Sequence, residues 1–453
     1  MLLQARNISA AGLALALGWA LARSAFAGSI LPQDVYVWQR AWTPPVWQAV
    51  QSHAGAFRRL IALEAEIAWD GPRPRLVPVE ADEEVLRAAA SEVGLAVRIG
   101  AFPGPFHDSG EPLESALGLV QRLLHRAATN GVAVRELQID FDCAASQLDG
   151  YAAWIRALRA KITPLPLILT ALPSWMRHPG FRSLVSAADG YVLQVHSLDR
   201  PTRAAERLSL CDPAAARKAV EQAGAFGVPF RVALPTYGYH LAFDANGQFI
   251  GLAAEGAARS WPRDAEVREV RADAGQMAEL VREWKEHRPA AMEGIIWYRL
   301  PTTADRLNWS WITLEAVMRG REPQPALKAR AVWPAPGLAD IQVRNEGDLD
   351  ALLPAWVRVR WSGADLLAAD VLHGFEIRET GNPASVAFFS KSAVRRLQPG
   401  SWCSIGWVRL SVQTDLQLET AAAAGASQAK ALSAGGGSFP PTDQPKGGSQ
   451  HGP

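Results

Sequence analysis

The residues best suited to chemistry are two aspartates, Asp140 and Asp142, on either side of Phe141 at the end of a short apolar run. Side chains alternate along a β-strand, so Gln138 and both aspartates share one face. Burying two neighbouring carboxylates is costly without donors or cations, and their repulsion raises the pKa of one of them. A protonated carboxyl beside an ionised one is the arrangement of a general acid for a glycosidic oxygen.

Further polar and aromatic residues lie near the ends of other apolar runs. Glu66 is a candidate second catalytic carboxylate, and alternation predicts that Glu64 shares its face. The candidate substrate contacts are Trp38, Arg40, Glu64, Arg98, Gln138, Trp175, Gln194, His196, Tyr237, Trp297 and Arg299. Converging on one mouth, they would form a pocket. The alternative for each Arg or Glu is a buried ion pair, and for each Trp a place in the core.

The elements that would position these residues are short runs rich in Val, Ile and Leu, as expected of strands covered on both faces. The eight runs are 35–38, 60–63, 95–98, 137–140, 167–170, 191–194, 230–233 and 294–297. Amphipathic segments separate them, at 112–129, 149–161, 214–223 and 274–287 among others. This alternation predicts an α/β fold, a (β/α)₈ TIM barrel over residues 30–322, with its site at the carboxyl ends of the strands. A doubly wound sheet is the rival, but no phosphate-binding glycine motif is present.

Two other regions have a different pattern. The loop from Thr236 to Asp273 contains Phe243–Phe249, which reads as a hairpin with an Asn-Gly turn and is either a wall of the barrel mouth or a surface insertion. Period-two runs after Pro323 predict a small all-β, immunoglobulin-like sandwich at 325–418. Residues 419–453 are rich in Ala, Gly, Ser and Pro, which predicts a disordered tail.

The first 27 residues have the pattern of a cleaved signal peptide. Arg6 precedes an apolar run at 10–22, and Ala25-Phe26-Ala27 is a small-x-small cleavage site. We therefore expect a periplasmic or secreted protein without stable membrane insertion. The three cysteines, Cys143, Cys211 and Cys403, have no metal-type spacing, and we expect no metal or other cofactor.

The composition of the chain limits the classes of partner that it is expected to bind. Net charge is +1, which excludes a broad basic field for nucleic acid, while hydrophobic residues make up 49% of the chain. The 17 Trp against 6 Tyr suit sugar rings as well as a large core. A carbohydrate or polysaccharide is the expected partner, and protein partners are left open.

The chain resembles the bacterial exported family called "domain of unknown function 3142". The resemblance is carried by Val35–Trp42, by Leu137–Cys143 with Leu148–Tyr151, and by Thr170–Trp175. It implies an exported barrel and brings no established activity.

A more distant similarity is to chitinase-type glycoside hydrolases, whose strand-four signature is Asp-x-Asp-x-Glu. Asp140 and Asp142 match its two aspartates, and Trp297 resembles the tryptophan of the pocket floor. The position of the acid Glu is occupied by Ala144. Either Asp142 takes over the acid role, or the site binds without cleaving.

Three hypotheses follow. The first is a glycoside hydrolase-like enzyme acting on a polysaccharide, with Asp142 as the acid and Asp140 as its modulator. The second is a non-catalytic envelope protein that binds a glycan or a partner. A metal-dependent hydrolase comes last, because the first strand has no paired histidines and His196 stands alone.

Overall fold

The computed structural model describes residues 30–421, except 71, 72, 78, 90, 103, 108, 142, 198–200, 207, 256–259 and 392–395. The chain forms two compact units, the first ending at Pro323 and the second starting at Gln324. The expected signal peptide and residues 422–453 of the expected tail lie outside the described residues. In the described part of the chain, no helix combines the length and apolar character needed to cross a membrane.

The first unit contains a closed parallel barrel. The strands of the first unit are β1 Gln33–Val37, β2 Arg59–Asp70, β3 Arg73–Val77, β4 Glu92–Ile99, β5 Val134–Phe141, β6 Leu167–Ala171, β7 Gly190–Gln194, β8 Phe230–Pro235, β9 Gly238–Phe243, β10 Phe249–Ala253, β11 Glu266–Arg271 and β12 Met292–Tyr298. Eight of them form the barrel. The barrel order is β1-β12-β8-β7-β6-β5-β4-β2, and pairing of β1 with β2 closes it. The predicted (β/α)₈ barrel is confirmed, and each of the eight runs coincides with one of its strands, except that Trp38 follows the end of β1.

Helices cover the outside of this barrel. They are α1 Pro44–His53, α2 Glu83–Ala88, α3 Glu111–Thr129, α4 Leu148–Ile162, α5 Gly180–Ala187, α6 Pro213–Gly224, α7 Ala274–Glu286 and α8 Trp311–Met318. The apolar residues of α3 recur every three or four positions and are buried, which packs that stripe onto the sheet. Asp212, Asp273 and Ser310 cap α6, α7 and α8 by accepting hydrogen bonds from first-turn backbone amides.

The long loop after β8 forms a three-stranded antiparallel sheet in the order β10-β9-β11. The predicted hairpin is confirmed. Asp244 accepts from the amides of Asn246 and Gln248 at 2.9 and 2.8 Å, and Gly247 adopts a φ of 73°, which glycine tolerates best. The role of this sheet as a wall or lid stays a prediction.

The second unit is all-β. Its strands are β13 Leu327–Ala335, β14 Leu338–Asn345, β15 Ala351–Leu352, β16 Trp356–Arg360, β17 Leu366–Val371, β18 Phe375–Glu379, β19 Ser385–Ser390, β20 Arg396–Leu397, β21 Trp402–Leu410 and β22 Gln417–Ala421. Two four-stranded sheets, β13-β14-β21-β17 and β18-β19-β16-β22, share one apolar core. An immunoglobulin-like identity stays a prediction. The expected boundary at 418 falls inside β22, because this strand pairs with β16 as far as Ala421.

Candidate active site at the barrel mouth

Inward-facing side chains fill the barrel in layers, as alternation along each strand requires. The middle layer is largely apolar and consists of Tyr36, Ile61, Ala96, Ile168, Val192, Ala233 and Ile296. This layer separates a charged layer at the amino-terminal end from a polar and aromatic layer at the carboxyl-terminal mouth. The two ends therefore have different chemistry.

The amino-terminal layer is a closed ion network of three arginines and three carboxylates. Its members are Asp34, Arg58, Arg59, Glu92, Glu136 and Arg231. The Arg231 side chain is only 3% exposed and lies 2.6 Å from both Asp34 and Glu136. Burial alone would raise the pKa of Asp34, but Arg58 and Arg231 outweigh it and hold that pKa below its ordinary value. Such complete pairing marks a structural network.

Gln138 belongs to the interior, not to the mouth. It is 1% exposed, its Nε2 donates to Glu136 at 2.6 Å, and its Oε1 accepts from the Tyr36 hydroxyl at 2.7 Å. Burial raises the pKa of Tyr36, so its hydroxyl stays protonated as a donor. The prediction that Gln138 contacts substrate is wrong, because both ends of its amide are used inside the barrel.

A band of polar residues crosses five adjacent strands at the mouth. Glu66 on β2 pairs in register with Arg98 on β4, and Arg98 with Asp140 on β5. Thr170 on β6 and Gln194 on β7 continue the band. Glu66, Arg98, Asp140 and Gln194 were predicted from the sequence. Thr170 was missed, although its place at the inward end of 167–170 was the available signal.

Asp140 is the centre of this band. It is 9% exposed, and its Oδ1 accepts from Thr170 Oγ1 at 2.8 Å and from Gln194 Nε2 at 3.4 Å. Its Oδ2 lies 3.8 Å from Nε of Arg98, whose side chain is 42% exposed. Donors therefore orient one oxygen, while the ion pair through the other is long and open to solvent. That geometry leaves the Arg98 side chain accessible at the mouth, with the largely buried Asp140 beside it.

Glu66 is held at the edge of the band by Arg40. Nε and Nη2 of Arg40 donate to the two Glu66 oxygens at 2.8 and 2.9 Å, a bidentate pair. Glu66 is buried, whereas the Arg40 side chain is 60% exposed. Both residues lie at the mouth as predicted, and the pair fixes the orientation of the Glu66 carboxylate.

An aromatic wall faces the polar band. Tyr298, on β12, has its ring centroid 5.6 Å from Trp38, 5.5 Å from Tyr237 and 5.5 Å from His196. Trp38 and Tyr298 are partly exposed. Tyr298 was missed by the sequence reasoning, which chose its neighbour Trp297 instead. Trp38, Tyr237 and His196 were predicted, and the structure brings all three together here.

His196 is the titratable group of this wall. Its Nδ1 lies 3.2 Å from the Tyr237 hydroxyl, and its buried Nε2 has no hydrogen-bond partner among the described residues. Burial lowers the pKa of His196 to about 4, so the ring is neutral at pH 7. Burial also raises the pKa of the Tyr237 and Tyr298 hydroxyls, which keeps them as donors.

Glu64 does not share a face with Glu66. Register shifts between Leu63 and Ala65, so Glu64 is the extra residue of a bulge and turns toward the outer helices. There it forms an ion pair with Arg126 of α3 and is 4% exposed. Burial, partly offset by Arg126, raises its pKa to about 7. The prediction of a mouth position is wrong, because the bulge breaks the alternation.

Three other predicted contacts have partners within the fold. Trp297 is fully buried, donates to Gln33 at 2.8 Å and packs against Trp309. Trp175 is 2% exposed in a 3₁₀ turn, so its face is not available to a sugar. Arg299 forms an ion pair with Asp305 at 2.6 Å. The predictions for Trp175 and Trp297 are wrong because both indoles are buried in the fold, whereas a ligand contact of Arg299 stays a prediction.

Asp142 lies outside the described residues, so its predicted role stays a prediction. Ala144, at the position of the chitinase-type acid, is exposed. Cys143, Cys211 and Cys403 are buried thiols, and burial raises the pKa of Cys211 to about 12. Over the described residues, no three His, Cys, Asp or Glu side chains group as metal ligands would.

Comparison with protein families matches part of the barrel, and the mouth residues Trp38, Arg40, Glu66 and Arg98 lie before the matched region. Residues 113–303 match the family described as a domain of unknown function, DUF3142. The match confirms the resemblance inferred from the sequence and covers Asp140, Gln194, His196 and Tyr298. Residues 328–411 match a second domain of unknown function, DUF8456, in the all-β unit. No curated protein matches the chain.

Solved structures with similarity to the chain include three named for carbohydrate-active enzymes or cortex lysis. The spore cortex-lytic enzyme SleL of Bacillus cereus is 13% identical, with a TM-score of 0.46 over 65% of this chain and 75% of that chain. The chitinase of Chromobacterium violaceum is 14% identical, with a TM-score of 0.45 over 64% and 98%. A family 18 N-acetylglucosaminidase of Paenibacillus barengoltzii is 13% identical, with a TM-score of 0.40 over 64% and 99%.

Proposed function

We propose that the DUF3142 barrel of this chain is a carbohydrate-active enzyme that cleaves a glycosidic bond at its mouth. The observation that carries the proposal is the polar band centred on Asp140, which faces an aromatic wall across the same opening. Sugar recognition needs both: hydrogen-bonding groups for the hydroxyls and flat aromatic faces for the ring.

Asp140 is assigned the role of an ionised carboxylate that stabilises positive charge on the sugar. Thr170 and Gln194 donate to its Oδ1, and hydrogen bonds to the charged form favour ionisation. Asp142 is assigned the general acid, on the basis of its place two residues further along the chain. A carboxylate whose neighbour is already ionised retains its proton to higher pH, as an acid catalyst requires.

Glu66 is assigned a supporting electrostatic role. Both of its oxygens accept from Arg40, so a nucleophilic attack would first have to break a bidentate pair. Trp38 and Tyr298 are the candidate platforms for the sugar ring, since both are partly exposed on the wall. Arg98, with its open side chain, is the candidate donor to a hydroxyl or carbonyl of the substrate.

The test is a reducing-end and mass-spectrometric screen of the purified protein against cell-envelope and extracellular polysaccharides. Asp142→Asn is measured alongside, with Glu221→Gln, an exposed carboxylate on α6, as the matched control. We expect product from the wild type and the control and none from Asp142→Asn. Equal product from wild type and Asp142→Asn would remove Asp142 from the mechanism.

The alternative is a barrel that binds a glycan without cleaving it. Two observations favour it: Ala144 stands where the chitinase-type signature has its acid Glu, and the Glu66 carboxylate is tied to Arg40. This alternative predicts a glycan-dependent rise in melting temperature with no product in the same screen. It also predicts that Asp142→Asn leaves the rise unchanged.

Export is part of the proposal. The pattern of residues 1–27 supports cleavage after Ala27 and a periplasmic or secreted product. N-terminal sequencing of the protein recovered from an expressing bacterium is expected to begin at Gly28. A mature chain that still begins at Met1 would contradict export by this signal.

A further inference from the structure

The outer face of one sheet in the second unit carries two tryptophans on the same strand. Trp402 and Trp407 lie on β21, opposite Arg344 and Asp340 of β14. The core-facing residues Cys403, Ile405 and Val408 are buried, so the two indoles belong to the opposite, solvent-facing side. A bulge at Ile405, where the register shifts, keeps both on that side despite their odd spacing.

The exposure of Trp402 is unusual for so large an apolar side chain. It is 57% exposed, and Trp407 is partly exposed. Among the residues that the structure describes, neither indole stacks on another ring or lies under a cation. Exposed aromatic surface without an internal partner is typical of a binding site.

On the other outer face of the same unit, aromatic rings are covered by arginine side chains. There Arg358 lies 5.2 Å over the Trp356 ring, and Arg378 lies 4.3 Å over the Phe389 ring. Those aromatic faces are covered by the protein's own guanidinium groups. Trp356 therefore provides a matched control for the two tryptophans of β21.

A strip of polar side chains connects the two indoles. Arg330 donates to Gln342 at 2.8 Å, Gln342 donates to Asp340 at 2.7 Å, and Ser404 donates to the same Asp340 oxygen at 2.7 Å. These bonds fix the donors and acceptors in place before any ligand arrives, which lowers the entropy cost of binding.

The charges of the face are mixed. Arg344 lies in register with Trp402, while Asp340 and Asp370 lie in register with Trp407 on either side. Lys328 is already paired with Glu346 at 2.7 Å. A uniformly charged polymer would meet repulsion at one end of this strip, whereas a neutral polyhydroxylated chain would not.

We propose that this face, defined by Trp402, Trp407 and the polar residues Arg330, Asp340 and Ser404, binds a neutral polysaccharide chain, with the buried Gln342 holding Arg330 and Asp340 in place. The ligand stacks sugar rings on the indoles and hydrogen-bonds its hydroxyls to those three polar side chains. Four register steps separate the tryptophans, so they stand about 13 Å apart along the strand. That spacing exceeds one sugar ring, and the ligand is therefore an oligomer. The site lies on the second unit, and the proposal does not depend on the chemistry proposed for the barrel mouth.

The experiment measures retention of the full chain by insoluble chitin and cellulose in sedimentation assays, and by soluble xylan and glucomannan in affinity electrophoresis. The variants are Trp402→Ala, Trp407→Ala, the double variant, the control Trp356→Ala, and Asp140→Asn at the mouth. Light scattering of each variant reports self-association, and circular dichroism reports folding.

We expect at least one of these polysaccharides to bind, each single tryptophan variant to weaken that binding about tenfold, and the double variant to abolish it. Trp356→Ala and Asp140→Asn should bind as the wild type does, and free monosaccharide should not compete. If Asp140→Asn loses glycan cleavage but still binds the polysaccharide, the mouth and this face act independently. Either proposal can therefore fail without the other.

Three results would overturn the proposal. One is the absence of binding to all four polysaccharides by the wild type. Another is equal binding by the wild type and a folded double variant. The third is a wild-type dimer that Trp402→Ala converts to a monomer, which would make the face an interface between two copies of the chain.

Discussion

The barrel contains two ion networks that differ in burial and closure. At the amino-terminal end, Arg231 is 3% exposed and bonds two carboxylates at 2.6 Å each. At the mouth, Arg98 is 42% exposed and approaches Asp140 only to 3.8 Å. The closed network is centred on a buried arginine, whereas the arginine of the open one is exposed where a ligand could reach it. The completeness of its pairing thus indicates whether a charged residue in the barrel is structural or functional.

Breaking the closed network should have the largest effect. Arg231→Met leaves Asp34 and Glu136 buried with less compensation, so we expect a loss of about 3–5 kcal/mol of unfolding free energy. Urea denaturation of the first unit measures it. Arg217→Met is the control, because its pairs with Glu279 and Glu283 lie at the surface and should contribute about 1 kcal/mol or less. Equal losses for the two variants would contradict the structural role.

Changing Asp140, the centre of the open network, should lower activity much more than stability. Asp140→Asn keeps the shape of the side chain but removes its charge, so we expect turnover of the glycan found in the screen to fall about 100-fold. Stability should change by about 1 kcal/mol or less, since Asn keeps the Oδ1 acceptor for Thr170 and the lost ion pair with Arg98 is long. Turnover and urea denaturation are measured on the same preparation. A large loss of stability would place Asp140 with the structural network.

Arg98→Met tests whether an exposed, loosely paired arginine at the mouth serves activity rather than stability. We expect kcat/KM to fall about tenfold, the scale of one lost hydrogen bond to substrate, with no change in the urea midpoint. Arg299→Met is the comparison, because Arg299 is tied to Asp305 at 2.6 Å with a side chain only 13% exposed. That variant should lose stability. The reverse outcome would exchange the roles assigned to the two arginines.

The smallest effect concerns pH. His196 has a pKa lowered by burial to about 4, against about 6.5 in an unfolded chain. Between these values the unfolded state binds a proton that the folded state does not, so stability falls as pH drops from 6.5 to 4. His196→Gln should reduce the fall in melting temperature between pH 7 and pH 5 by at least about 2 °C. An unchanged difference would contradict the burial of a neutral ring.

Much of the barrel was predictable because its strands are covered on both faces and are therefore continuously apolar. Alternation also placed Asp140 and Arg98 correctly. It failed at Glu64, where one extra residue between Leu63 and Ala65 reverses the face. No composition signal marks that bulge, since its energetic origin is the pairing of β2 with β4.

The last strand shows a second limit of the sequence. Alternation allows either Trp297 or Tyr298 to point inward, and the resemblance to the pocket-floor tryptophan of chitinase-type hydrolases favoured Trp297. Ile296 lies in the inner layer, which places Tyr298 inside and Trp297 against Trp309. The phase of this strand depends on its neighbours in the closed sheet, a tertiary property that local patterns do not encode.

The closed network was likewise invisible from local patterns. Asp34, Glu136 and Arg231 begin three different strands that are far apart along the chain. Only closure of the barrel brings them within hydrogen-bonding distance. The alternation of side chains along a strand can predict that each of these three residues faces inward. It cannot predict that the three side chains contact one another.

The most direct test of this account is the rise in melting temperature caused by a glycan that binds the mouth, measured for wild type and Asp140→Asn in parallel. A ligand that binds only the folded state raises its stability in proportion to its affinity. We predict equal melting temperatures without glycan, a rise for the wild type with glycan, and little or no rise for Asp140→Asn. An equal rise in both proteins would contradict the claim that the open network at the mouth is the functional site.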